Sequence, residues 1–290
     1  MEALLHQVFT GLASGAVYAS LALALVMIYR VTHFVNFAQG ELALCSTYVS
    51  LAMIHAGVSY WLAFVATLAM SFAMGVFVER VVIRPAMHAP ALSVVIVYIG
   101  LMVILNSVAG WVFGYDTRAF PSPFPSEPLF GNHYLGSHEL GVIGVTLAML
   151  GGLYSFFRFT SLGLALRAVA DNAESSRLVG IRVERMLALG WGLAAAVGAV
   201  AGMMIAPIVF LDPSMMAAVM LYAFAAALLG GIDSPGGAVA GGFTVGILEN
   251  LVGTYVVGTE LKLTTALALI VGVLIFRPAG LFGQPSAARV

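Results

Sequence analysis

The chain has 290 residues, 12 basic and 13 acidic, for a net charge of −1; 61% are hydrophobic and only 9% are charged. A water-soluble domain of this length needs a charged surface that so few ionised side chains do not supply, so the apolar stretches face lipid or one another. The near-neutral balance excludes a basic nucleic-acid surface, and a single cysteine, Cys45, excludes an internal disulfide and a cysteine metal cluster.

In hydrocarbon, only helices or closed barrels satisfy the backbone. The two-residue alternation of a barrel is absent, and continuous Ala/Leu/Val/Gly runs dominate. The class expected is therefore an all-α, polytopic membrane protein. Met1 to Thr10 carries no Lys or Arg ahead of its hydrophobic run, so that run reads as a retained first span, not a secretory signal. A span takes about 20 apolar residues. Full-length candidates fall at 8–29, 60–82, 91–113, 140–159, 186–211 and 238–257, with shorter apolar pieces at 42–56, 215–231 and 263–276. The count is about nine if every short piece crosses, and about eight or fewer if one is re-entrant. With nine, Arg30, Arg80, Arg84, Arg158, Arg167, Arg177, Arg182, Arg185, Arg277 and Arg289 fall on one side, and only Arg118 and Lys262 on the other. That asymmetry places the N-terminus outside and the C-terminus inside.

Along the chain, polar residues interrupt these runs at a few places. Asn36, Gln39 and Glu41 lie at the break between the first two apolar pieces, where unwound backbone often meets a cavity; a turn capped by its own side chains is the competing reading. Glu79 with Arg80 reads as an interfacial anchor or local ion pair. Asn106 falls within 91–113. Segment 114–139 carries Pro121, Pro123, Pro125 and Pro128 among Phe120, Phe124, Phe130 and Tyr134. Such proline density makes a semi-rigid extended chain, a lid or connector, with docking of a periplasmic partner as the alternative.

Segment 160–185 is too polar to span and is expected inside. A short helix is predicted at 162–169 and a second at 172–179, with a break at Ala170-Asp171. Asp171 and Glu174 read as a capping box, and Gly180 as a C-terminal cap. Arg167 with Asp171, and Glu174 with Arg177, have spacings at which opposite charges meet on a helix. The segment is either an ordinary solvated loop or a knob that docks into a partner.

Late in the chain, Glu249 and Asn250 lie at membrane depth, where an ionisable group marks a pathway or else hydrogen-bonds between helices. Gly11 and Gly15, Gly198 and Gly202, and Gly242 and Gly246 are four-residue small-residue pairs of the kind that lets helices approach closely. Spans 60–82 and 263–276 both run into an Arg-Pro, Arg84-Pro85 and Arg277-Pro278, each after two apolar segments joined by a Gly-rich break. This resembles a duplicated three-span unit whose register aligns Tyr29 with Tyr222. No P-loop run exists and Lys262 is the only lysine, so the chain does not bind ATP through a P-loop of its own. His-Glu-x-x-His and Gly-x-Ser-x-Gly runs are also missing, and the six histidines lack metal-ligand spacing.

Four stretches carry a family resemblance. Leu166-Arg167-Ala168-Val169-Ala170-Asp171-Asn172-Ala173-Glu174, ending Leu178-Val179-Gly180-Ile181, resembles the cytoplasmic signature of branched-chain amino acid importer permeases. Asn36-Phe37-Ala38-Gln39-Gly40-Glu41 is similar to that family's run after the first span, which usually has His where this chain has Gln39. Leu229 to Ala238 is similar to its late Gly-rich turn, and Glu79 to Pro85 also fits. The resemblance implies that Arg167, Asp171, Asn172, Glu174, Arg177 and Gly180 belong to coupling helices gripped by two ATPase subunits, which bind and hydrolyse the ATP and Mg. It also implies a second, homologous permease, a periplasmic substrate-binding protein and a bacterial inner-membrane location. Asn36, Gln39, Glu41, Glu249 and Asn250 are the candidates for the solute path. If Gln39 touches solute, the cargo differs from a branched-chain amino acid, because a neutral amide does not titrate as His does. The alternative function is a stand-alone carrier or channel with Glu249 as its ion-coupling group.

Overall fold

The computed structural model describes residues 2–125, 136–277 and 279–283. Pro128, Phe130, His133, Tyr134, Pro278 and Arg289 lie outside the described residues. Among the described residues the regular structure is helical, apart from one isolated antiparallel bridge between Arg118 and Leu211. The all-helical expectation holds, and each of the nine apolar segments falls on a helix. These are α1 (Glu2–Thr32), α2 (Gln39–His55), α3 (Tyr60–Val78), α4 (Ala91–Phe113), α5 (Ser137–Phe159), α8 (Val183–Val209), α9 (Met215–Gly230), α10 (Pro235–Tyr255) and α11 (Lys262–Phe276). Two short helices, α6 (Ser161–Asp171) and α7 (Ala173–Leu178), occupy the polar segment between α5 and α8. Among the described residues, five helices are long and apolar enough to cross a membrane: α1, α3 with its extension to Ala86, α4, α5 and α8. Helices α9 and α11 are apolar but shorter.

The chain forms two compact units. One comprises Met1–Val26, Pro121–Thr146 and Ala217–Val290; the other comprises Met27–Phe120 and Leu147–Met216. In each, small residues set the helix spacing. In the first unit, a Cβ on Gly246 would lie 2.4 Å from Gly15 Cα and 2.5 Å from the Gly11 carbonyl oxygen, so α1 and α10 meet backbone to backbone. In the second, Gly198 abuts Gln39 and Ala43 of α2, Gly202 abuts Thr47, and Gly75 of α3 abuts the Trp191 carbonyl of α8. The glycine pairs therefore act as helix-packing seams, as their spacing predicts. Tyr222 stacks on Tyr18, centroids 4.9 Å apart, and Tyr29 meets His33 edge-on.

Polar side chains in these seams turn inward to backbone or to each other. Ser46 donates to the Leu42 carbonyl and accepts from Ser71, joining α2 and α3. Large side chains such as Leu92, Ile96, Ile104 and Trp111 on α4 stay exposed. An apolar face of that extent is tolerated where lipid, not water, is the solvent.

Helix α3 does not end at the expected residue 82. It passes through a π-helical turn at Glu79–Ile83 before Pro85, which cannot donate to the helical ladder. Glu79 pairs with Arg84 and not with its neighbour Arg80: Arg84 Nε and Nη2 donate to the two carboxylate oxygens at 3.0 and 2.7 Å. The wider turn brings residue 84 back beside residue 79, a geometry that sequence adjacency does not convey.

Candidate functional site

Segment 160–185 is built by capping. Thr160 accepts from the Gly163 N–H at 2.9 Å and starts α6; Asn172 accepts from the Ser175 N–H at 2.8 Å and starts α7. The break therefore falls at Asn172, one residue beyond the predicted one, and Asn172 replaces Asp171 as the cap. The Asn amide oxygen at 172 is placed to reach the N3 amide, while Asp171 remains the last residue of α6. Gly180 closes α7 as expected, at φ +86, with its N–H on the Arg177 carbonyl and the Ile181 N–H on the Ser176 carbonyl. This is the paired bonding of a Schellman turn.

Both predicted intrahelical ion pairs give way to longer-range ones. Asp171 takes Arg30 from the end of α1 at 2.9 Å, and Arg177 takes Glu184 from the start of α8 at 2.8 Å. Glu174 is exposed, and the Arg167 Nε is buried without a partner. Inner-face residues Leu166 and Val169 pack with Val183 and Met186 of α8, against Val31 of α1 and Phe156 and Phe157 of α5. The other face presents Leu178 and Val179, 85% and 76% exposed. Arg84 also donates to the Glu184 carbonyl at 2.9 Å, so the start of α8 is tied both to α3 and to the short helices. The result is a small apolar-tipped projection fixed to three long helices.

Asn36, Gln39 and Glu41 come together at the start of α2, within the same unit. Asn36 accepts from the Ala38 N–H and donates to the Gln39 side-chain oxygen at 3.1 Å. Gln39 is fully buried and donates to the Ala194 carbonyl of α8 at 2.8 Å. Its hydrogen bonds are internal, so the exchange of His for Gln at this position bears on α2–α8 packing. Glu41 points elsewhere: its Oε2 accepts from Asn106 of α4 at 3.1 Å.

Glu249 and Asn250 lie in the other unit, within a closed network. Tyr18 donates to Glu249 at 2.9 Å, and Lys262 lies 3.7 Å from the same carboxylate. Lys262 also donates to Asn250 at 3.0 Å, and Asn250 donates to the Gln7 carbonyl at 3.0 Å. Arg30, Glu184, Tyr18 and Lys262 were not singled out from sequence as site residues. The lone lysine beside a buried Glu was the one available signal; the other three are ordinary in sequence and gain partners only through folding.

Residues 7–276 match the family described as branched-chain amino acid transport system / permease component. The chain is 33% identical over 302 residues to the high-affinity branched-chain amino acid transport system permease protein LivH of Escherichia coli (strain K12), covering 99% of this chain and 97% of that one. It is 30% identical to the corresponding protein BraD of Pseudomonas aeruginosa, covering 99% and 98%. It is 27% identical to the probable branched-chain amino acid transport permease protein LivH of Methanocaldococcus jannaschii, covering 91% and 87%. These relatives are transport permeases, not enzymes.

Proposed function

Because the chain belongs to the branched-chain amino acid transport system permease family, we propose that it is the membrane-spanning subunit of an ATP-binding-cassette importer. It moves an amino acid or similar small polar solute, delivered by a periplasmic binding protein, across the bacterial inner membrane. All nine long or apolar helices cross, with the N-terminus outside and the C-terminus inside; the charge asymmetry of the loops supports this orientation. The chain works as one permease domain beside a second, homologous permease. Two ATPase subunits bind and hydrolyse ATP with Mg; this chain binds neither.

The observation that carries the reading is the projection formed by α6 and α7. Two exposed apolar residues at its tip, Leu178 and Val179, cost solvation unless a partner covers them. Its inner face is held by apolar packing and by the Arg30–Asp171 and Arg177–Glu184 pairs. A partner that moves this tip pulls directly on the ends of α1 and α8. An ATPase that holds the tip more tightly in one conformation than the other shifts the permease toward that conformation, and only differential contact of this kind does so. The role assigned to Arg167, Asp171, Asn172, Glu174, Arg177 and Gly180 is to shape and anchor this contact.

The test is co-purification and transport. The Leu178→Glu/Val179→Glu double variant should insert and fold normally, yet lose the ATPase subunits on purification and lose nucleotide-driven uptake. Placing valine at Gly180 strains a φ of +86 and should act the same way more weakly. Full uptake with both variants would refute the coupling role. Nucleotide-independent flux through the chain alone in vesicles would favour the stand-alone carrier.

A further inference from the structure

We propose that Glu41 and Asn106 form an acceptor-only recognition point for a primary ammonium group of the transported solute; the idea rests on the importer reading above and names the chemistry of its path.

The argument starts from donors and acceptors. Asn106 Nδ2 lies between two acceptors, Glu41 Oε2 at 3.1 Å and the Pro213 carbonyl at 2.6 Å. Only an amide NH2 satisfies both, which fixes the orientation of the Asn106 side chain and turns its Oδ1 away as a free acceptor. Glu41 is 8% exposed, and among the described residues Asn106 alone donates to it, at Oε2. Its Oε1 is therefore uncommitted. Among the described residues, no cation or donor is bonded to either of these two acceptors, one of them a carboxylate oxygen. A site of this kind favours a positively charged donor, and an ammonium supplies three N–H bonds in one compact group.

The surroundings extend the same face. Glu41, Cys45 and Tyr48 follow one another at helical spacing along α2. Cys45 Sγ lies 3.9 Å from the Leu105 carbonyl, one residue from Asn106. Tyr48 is 1% exposed and stacks on Phe113, yet its hydroxyl has no hydrogen-bond partner. Opposite this face the backbone is interrupted. Helix α8 stops at Val209, Phe210 adopts φ +63, Leu211 pairs with Arg118, and Asp212 caps the Ser214 turn before α9 begins. A non-glycine residue at positive φ costs energy, and interrupted backbone between two apolar helices is the arrangement in which carbonyls such as that of Pro213 become ligands. The Glu249 carboxylate offers no comparable free oxygen, because Tyr18 donates to one of its oxygens and Lys262 lies 3.7 Å from the other.

Cys45, the only cysteine, is a native reporter one helical turn from Glu41. The full chain, purified with its associated subunits in lipid nanodiscs, is treated with three methanethiosulfonates bearing an ammonium, a methyl or a sulfonate group. The rate of Cys45 labelling, read from the mass of its peptide, is divided by each reagent's rate with glutathione. The ammonium reagent should exceed the methyl reagent by roughly tenfold through electrostatic focusing. Glu41→Gln should remove that preference and Glu41→Asp retain most of it. Isobutylammonium should protect Cys45, whereas tetramethylammonium, which has no N–H, should not. Equal preference in wild type and Glu41→Gln, equal protection by the two amines, or no labelling by any reagent would each overturn the proposal. Nucleotide-driven uptake by the same preparation is measured alongside. Uptake without a charge preference sinks this site alone, whereas failure of wild-type uptake sinks the importer reading.

Discussion

Replacing Arg84 with alanine isolates the Glu79–Arg84 pair at the π-turn of α3. Glu79 is 2% exposed and loses both of its charged hydrogen bonds, at 3.0 and 2.7 Å. Stranding one member of a buried pair costs about 3–5 kcal/mol. The Arg84 side chain is itself 36% exposed, so solvent screens part of the interaction and the expected loss falls to about 2 kcal/mol. In a protein of this size that lowers the melting midpoint by roughly 4–8 °C. The Glu79→Gln/Arg84→Ala double variant leaves no buried charge and should recover most of the loss. The assay is thermal unfolding of the detergent-purified protein for wild type, both single variants and the double. Arg84 also holds the Glu184 carbonyl at the root of the α6–α7 projection, so uptake in the double variant should remain impaired although stability returns. If the single and double variants melt together, or if Arg84→Ala melts like wild type, the pair is not the anchor its geometry indicates.

Gly246→Ala should destabilise by about 1–3 kcal/mol, because its Cβ meets the backbone of Gly15 and Gly11 and neither can yield. Gly144→Ala on α5, with nothing within 4 Å, should be neutral or stabilising; an unfolding titration in mixed micelles compares the two, and equal midpoints would contradict close α1–α10 packing. Gln39→Leu leaves Asn36 and the Ala194 carbonyl short of a partner and should cost about 1–3 kcal/mol in the same titration. Solute preference in uptake should not change, and an altered preference at unchanged stability would place Gln39 in the path instead.

The difference between Gln39 and Glu41 illustrates how far the residues could be read before folding. Both lie in one polar run at a predicted break, and sequence alone ranks them together as path candidates. Two positions apart on a helix, their side chains point about 200° apart. One therefore locks onto α8, and the other faces α4 with an acceptor to spare. The charged projection tells the same story. Its place, its two short helices and its terminal Gly180 were legible because caps and turns are local chemistry. Its ion pairs were not, since Asp171 is 141 residues from Arg30 and local spacing offered nearer partners that a solvated helix surface rewards only weakly.

Composition and run length alone determined an all-helical, lipid-facing chain with nine apolar segments and one polar insert between them. Burying backbone in hydrocarbon leaves helices as the only answer to long apolar runs without alternation, and that constraint acts residue by residue. Tertiary structure alone decided which polar groups are consumed by packing and which stay available. Gln39 and Glu249 are each closed off by a partner from another helix, and Glu79 by Arg84 across the π-turn of its own helix. Glu41 keeps an oxygen open because α4 brings it one amide and nothing more. Satisfaction of a buried polar atom depends on a partner distant in sequence within about 3 Å, and no local pattern encodes that distance.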